Sequence, residues 1–373
     1  MDFGIMFFSS ADQNKARDKY RLLIEAAKLA DRRGFCGVWT PERHFHSFGG
    51  LFPNPSVTSA ALAMVTNQLQ IRAGSLISPL HDVVRIVEEW SVVDNLSGGR
   101  VAVSFGSGWN VNDFIFFPDR YESRHTVMHQ QIETIKNLWA GNEFEVLNSQ
   151  GKSVSLKIYP RPLQESLPCW ITSSGNVETF KFAGSIGANV LTHLIGQDIE
   201  TLAMKIQQYR EARAEQGLDP RAGKVSLMLH TFLGPEIEAV KKRVRGPFRA
   251  YIKSAVSLET IAANGGGVIS GGHKIEPHHI PPDVMEELLD IAFERYFQTA
   301  ALMGTPQGCR QLVWQMQDIG VDEIACLIDF LDDCDAVLES LEYIAELKES
   351  FSEVAAAQAG SEALSVFTQE ITD

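Results

Sequence analysis

Eight short runs rich in valine, isoleucine and phenylalanine, separated by longer segments, constrain the fold of this chain more than any other feature. They fall at 2–8 (DFGIMFF), 35–40 (FCGVWT), 69–77 (LQIRAGSLI), 100–106 (RVAVSFG), 168–173 (PCWITS), 188–194 (ANVLTHL), 225–233 (VSLMLHTFL) and 323–330 (EIACLIDF). The segments between them carry helical periodicity. Ile199, Leu202, Ile206 and Tyr209 make one apolar face, closed by Gly217, and Val83 to Leu96 make another, stopped by Ser97-Gly98-Gly99. Residues 306–320 end likewise in Gly320. Strands alternating with helices imply βα units and a parallel sheet. Eight such units predict an α/β chain folded as a (β/α)₈ TIM barrel. A doubly wound sheet would carry GxGxxG after its first strand, whereas the first run here ends in Phe7-Phe8-Ser9-Ser10.

The 373 residues exceed the roughly 250 of a plain barrel. The surplus is assigned to two insertions and a tail. Residues 141–167 read as a small hairpin, and 246–282, with Gly265-Gly266-Gly267 and Gly271-Gly272, as a candidate active-site lid. The barrel domain is expected to span 1–348, with the Ala-, Gln- and Ser-rich stretch 349–373 as a tail or linker.

The formal charge of −14 disfavours nucleic acid and anionic lipid surfaces as partners. Five scattered cysteines, with no CxxC pair, suggest neither a disulfide framework nor a cysteine zinc site and point to a reducing, cytoplasmic setting. MDFGIMFF reads as a strand rather than a signal peptide, and no run is long enough for a membrane span.

Barrel chemistry sits where strands exit at the C-terminal face. The second run leads into Thr40-Pro41-Glu42-Arg43-His44-Phe45-His46, the densest cluster of ionisable groups at any exit. The pair His44 and His46 also allows a metal reading, with His193, His230 and Asp329 completing a hydrolase-type set. The fourth run opens into Gly106-Ser107-Gly108-Trp109, where backbone can approach a planar ligand and Trp109 offers a ring face. The fifth opens into Ser173-Ser174-Gly175-Asn176 just before a helix, a pattern suited equally to a phosphate and to plain N-capping. Arg124, at the start of a helix, suits either a phosphate or a surface ion pair, and His81 either the barrel mouth or a helix start. His278-His279, in the expected lid, reads as a solvated pair.

Taken in order, the segments TPERHFHSFGG, NPSV at 54–57, LISPLHDVVRIVEEWSVVDNLSGGR, the GSGW turn, the SSG turn and GTPQGCRQLVWQMQDIGVDEIACLID resemble the bacterial luciferase-like, flavin-dependent monooxygenases. The SGGR and GTP segments carry that resemblance most specifically. ERHFHSFGG and IACLIDF further resemble the subgroup attached to polyketide and nonribosomal peptide assembly lines.

The resemblance implies a barrel that binds reduced FMN, supplied by a flavin reductase, and uses O₂ through a C4a-peroxy species to oxygenate an organic substrate. It implies flavin contacts at Gly74, Ser75, Ser104, Gly106, Ser107, Gly108, Arg124, Ser173, Ser174 and Gly175, with a cis peptide at Gly74–Ser75. His44 is implied as the proton donor or acceptor beside the oxygen, Arg43 as an anion stabiliser and Glu42 as their orienting carboxylate. His46, Trp109 and His193 would line the substrate pocket. A carrier-tethered substrate and a homodimer are implied partners. Where luciferase has Glu-His-His, this chain has Glu42-Arg43-His44, and Gly106 and Ser107 stand in place of a cysteine and an arginine, so light emission is not expected. A deazaflavin-dependent hydride-transfer enzyme, a metallohydrolase and a non-catalytic flavin-binding protein are the rival readings.

Overall fold

The computed structural model describes residues 1–8, 18–46, 49–173, 175–262, 268–270, 273–275 and 281–351. The chain begins β1 (Asp2–Met6), α1 (Arg21–Arg32), β2 (Gly37–Thr40), α2 (Pro55–Ala63), β3 (Gln70–Ile77), α3 (Val83–Ser97), β4 (Val101–Gly106) and α4 (Arg124–Trp139). It continues through β5 (Phe144–Leu147), β6 (Ser153–Leu156), β7 (Cys169–Thr172), α5 (Val177–Ser185), β8 (Asn189–His193), α6 (Ile199–Glu215) and β9 (Val225–Leu233). Then follow α7 (Ile237–Ala262), β10 (Val268–Ser270), β11 (His273–Ile275), α8 (Pro282–Thr299), β12 (Leu302–Gly304), α9 (Pro306–Asp318), β13 (Glu323–Leu327) and a last helix, α10, over 334–351.

Every one of the eight apolar runs becomes a stave of one closed parallel barrel. The order is β1-β2-β3-β4-β7-β8-β9-β13, and β13 returns to pair with β1. Parallel strands need helical crossovers, and these cover the outer face and bury both sides of the sheet. β12 adds a short parallel strand beside Thr231 to Leu233 of β9, and β5 and β6 form the antiparallel hairpin within 141–167.

Two boundaries differ from the sequence reading. The excursion set at 246–282 begins just after β9, because α7 runs from Ile237 straight through Gly246 and Pro247, residues that ordinarily end a helix. It returns only through α8 and β12. At the other end α10 runs past 349, the expected start of the tail, to Phe351, whose buried ring lies 6.1 Å from Phe3 and 5.9 Å from Trp314. Gly265 to Gly267, Gly271-Gly272, His278-His279 and 352–373 lie outside the described residues.

The two most specific sequence landmarks turn out to hold the barrel together. Gly98 closes α3 in a left-handed turn, and Arg100 then reaches back to the carbonyls of Ser97, Thr66 and Leu69 at 2.6–2.9 Å, fastening the α2–β3 loop. Thr305 caps α9 through the Gly308 N–H, with Pro306 in the first turn.

The N-terminal end of the barrel is sealed by a polar core. Arg72 Nη1 donates to both oxygens of Glu323 at 2.7 Å, Trp39 Nε1 to Oε1 at 3.0 Å, and Ser226 Oγ to Oε2 at 3.0 Å. The guanidinium lies over the Trp39 and Trp170 rings, at 4.7 and 5.0 Å. Gly37 and Gly4 make room for it, since a Cβ at either would come within 3 Å of Arg72 or Glu323.

Candidate active site

The opposite, C-terminal end carries the second polar cluster. β2 ends in Thr40, and the chain then brings Glu42, Arg43 and His44 into the barrel mouth, all three buried. Phe45 follows with φ of 54°, in the left-handed region that a side chain with a Cβ enters at a cost of about 1–2 kcal/mol. Alongside, β3 carries a bulge between Gly74 and Leu76, and its Gly74–Ser75 peptide is cis.

Glu42 is the hub. Its Oε1 accepts from His44 Nε2 at 2.9 Å and His81 Nε2 at 2.6 Å, and its Oε2 accepts from the Ile77 N–H at 2.7 Å. Burial alone would push this carboxyl up, but the hydrogen bonds from both imidazoles, the charge of His81 and the Ile77 N–H hold it below its usual value. Burial pulls the other way on His81, where the Glu42 carboxylate prevails and raises it. The Glu42 side chain is shut from solvent while His81 is about a quarter exposed, so of the two imidazoles on Glu42 it is His81 that reaches water.

Arg43 lies over the rings of Phe8 and Trp109, at 4.6 and 5.0 Å. Its charge faces Asp113, which stands in the short 3₁₀ turn Val111–Phe116 and accepts from Asn110 Nδ2 at 2.8 Å. Burial pushes the Asp113 carboxyl up to about 6 against the pull of Arg43 and His44. Trp109 is nearly half exposed and His46 half-buried, at the outer rim.

Between β3, β4 and β7 the mouth is lined by hydroxyls. Thr172 Oγ1 shares hydrogen bonds with Ser75 Oγ at 2.8 Å and Ser104 Oγ at 2.6 Å. Next to them Gly106 and Gly108 let the turn pack closely on Ile77, for a Cβ on either would come within 3 Å of it. Gly108, at φ 79°, needs the glycine for its conformation as well. Ser107 is half-buried in the same turn. Arg124 is turned to this loop, with Nε on the Gly108 carbonyl at 3.0 Å and Nη1 on that of Tyr121 at 2.8 Å.

Beyond β7, Ser173 is buried and Asn176 caps α5 through the Glu178 N–H, so the start of this helix faces the mouth. Ser174 lies outside the described residues. A Cβ on Gly175 would lie 3.4 Å from Lys205 Nζ, a buried ammonium from α6 held by Gln197 Oε1 at 2.8 Å.

His193, at the end of β8, accepts the Ile195 N–H on Nδ1 at 3.1 Å, and burial pushes it down to about 4. The metal reading finds no support in this arrangement. His44 Nε2 is committed to Glu42 and His230 sits among rings, and among the described residues no group of three or more His, Cys, Asp or Glu side chains is disposed to hold an ion.

The sequence reading singled out Glu42, Arg43 and His44 as one cluster and left His81 open. Asp113, Thr172 and Lys205 escaped it. Their only signal was a polar residue just past a strand or on a helix, which many solvated positions share.

A model of the luciferase-like monooxygenase family matches residues 1–323. Among curated proteins, the oxygenase component of the flavin-dependent trigonelline monooxygenase of Acinetobacter baylyi is 25% identical over 235 residues, 61% of this chain and 63% of that protein. The match thus spans less than two thirds of that relative. Among solved structures, the monooxygenase RslO1 from Streptomyces bottropensis has a TM-score of 0.76 at 19% identity, covering 93% of this chain and 98% of that one. The oxygenating constituent of 3,6-diketocamphane monooxygenase from Pseudomonas putida, a type II Baeyer–Villiger enzyme in complex with FMN, has a TM-score of 0.70 at 16% identity over 92% of this chain and 96% of its own. At these identities the two structures establish the shared barrel fold. With the family model spanning most of its length, the chain belongs to the luciferase-like monooxygenase family.

Proposed function

We propose that this protein is an FMN-dependent monooxygenase that oxygenates an organic substrate with O₂. The observation that carries this is the pairing, at one mouth, of hydroxyls at Ser75, Ser104 and Thr172 and a close-packed glycine turn at Gly106 and Gly108 with a buried Glu42–His44–His81 cluster. The residues present fit FMN. The hydroxyls of Ser75, Ser104 and Thr172 offer hydrogen bonds to the polar edge of a flavin ring, and the start of α5, with Ser173 and the Lys205 ammonium beside Gly175, suits its phosphate. Lys205 offers the positive charge that Ser107 does not.

Bound there, reduced FMN supplies the electrons that activate O₂. The protein's own part is orientation, exclusion of water and proton handling. His44 Nε2 holds its proton against Glu42 Oε1, and His81, on the same oxygen, passes protons to and from water. Arg43 presents positive charge toward an anion at the mouth, tempered by Asp113. A separate flavin reductase, a homodimer and a natural-product substrate, tethered or free, belong to this reading on the strength of the resemblance carried by ERHFHSFGG and IACLIDF.

Titration with reduced FMN and with reduced deazaflavin F420 tests it. The expected result is saturable binding of one reduced FMN per chain, with O₂ consumed by the complex. Tighter binding of the deazaflavin, with hydride transfer and no O₂ consumption, would overturn it.

A further inference from the structure

The β9–β13 side of the mouth holds a buried polar atom that the proton relay does not use. His230 shares a strand face with Ser226, whose hydroxyl contacts Trp170 Nε1 and Glu323 inside the barrel. Period-two alternation therefore turns His230 inward as well, four residues nearer the C-terminal mouth. It is 4% exposed, and its Nε2 has no hydrogen-bond partner among the described residues. Buried polar atoms are rarely left this way unless something else meets them.

The surroundings indicate what would meet it. The rings of Phe248 and Tyr251, from α7, and of Phe330, just past β13, stand edge-on to the imidazole with centroids 4.8, 4.5 and 5.7 Å away. Burial, with His193 nearby, pushes the imidazole down to about 3, so it is neutral at physiological pH. At Tyr251 the Asp329 carboxyl outweighs the Arg43 guanidinium, so this ring cluster disfavours an anion although cations stand elsewhere around the mouth.

We propose that His230 anchors the substrate, an uncharged aromatic molecule whose hydroxyl hydrogen-bonds Nε2 while its ring packs toward Phe248, Tyr251 and Phe330. A hydroxyl both donates and accepts, so it satisfies either tautomer of the imidazole. This deepens the flavin reading by naming the substrate class for the same mouth, and it rests on that reading.

Calorimetric titration of naphthol, naphthoate and decanol into flavin-free and FMN-loaded protein tests it. Naphthol is expected to bind about tenfold more tightly than the other two, and His230→Phe to weaken it about tenfold through loss of one buried hydrogen bond. His230→Asn, which keeps a donor and an acceptor, is expected to retain most of the affinity. Equal binding of naphthoate or decanol to the wild type, a result independent of how any variant folds, would overturn the proposal. So would undiminished naphthol binding by His230→Phe. Naphthol binding that depends on His230 in a protein unable to bind reduced FMN would uphold the anchor and overturn the flavin reading, while FMN binding without naphthol binding would do the reverse.

Discussion

Two buried carboxylates sit at opposite ends of one barrel, and the difference lies in the cations that surround them. At the N-terminal end Glu323 is matched by Arg72, which carries its charge at every accessible pH. At the C-terminal end Glu42 is matched by two imidazoles, His44 and His81, and its carboxylate holds His81 above its usual value against the pull of burial. The first arrangement can only hold still. The second can lose or gain a proton without leaving a permanent charge stranded, as a proton-handling site requires. One end of the barrel is thus locked by a fixed charge, and the other is the end we propose to handle protons.

The largest effect expected from breaking this contrast is at the N-terminal end. Arg72→Leu leaves Glu323 buried without its cation, at a cost of about 3–5 kcal/mol in urea unfolding. His44→Ala comes next, lowering the rate of substrate oxygenation by about 10²–10⁴-fold, with reduced FMN instead being oxidised by O₂ to release hydrogen peroxide. Its affinity for reduced FMN, measured by titration, is expected to stay near that of the wild type.

Asp113→Asn has the smallest effect, and it appears in the pH profile. A carboxyl raised from 3.8 to about 6 stabilises the folded chain fully below 3.8 and progressively less as pH rises toward 6. The variant is expected to flatten unfolding stability over that window. In the wild type Asp113 also ionises as pH passes about 6 and offsets the Arg43 charge, so any inflection there in the pH dependence of oxygenation should vanish with the variant.

The same contrast explains what the sequence made legible. All eight staves showed as runs of apolar residues, because a parallel barrel buries its strands on both faces. SGGR and GTP are legible through the family resemblance; the cap that Thr305 makes is local, whereas Arg100 also reaches the carbonyls of Thr66 and Leu69, more than 30 residues away. The mouth was only half legible. Glu42, Arg43 and His44 are adjacent in the chain, but His81 reaches Glu42 from 39 residues away. Asp113 and Lys205 likewise meet their partners only once the barrel has closed. No spacing rule links a helix side chain such as Lys205 to a turn such as Gly175 on another βα unit. The extent of α7 was obscured by Gly246-Pro247, whose local preference tertiary packing overrides.

Urea unfolding of Glu323→Gln beside Glu42→Gln tests the central claim most directly. Glu323→Gln strands a guanidinium that cannot deprotonate and should cost about 3–5 kcal/mol. Glu42→Gln leaves imidazole rings, a group that unlike guanidinium has a neutral form able to pair with an amide, and should cost only about 1 kcal/mol. Equal losses from the two variants would contradict the account, because the mouth would then be as fixed in its charge as the base.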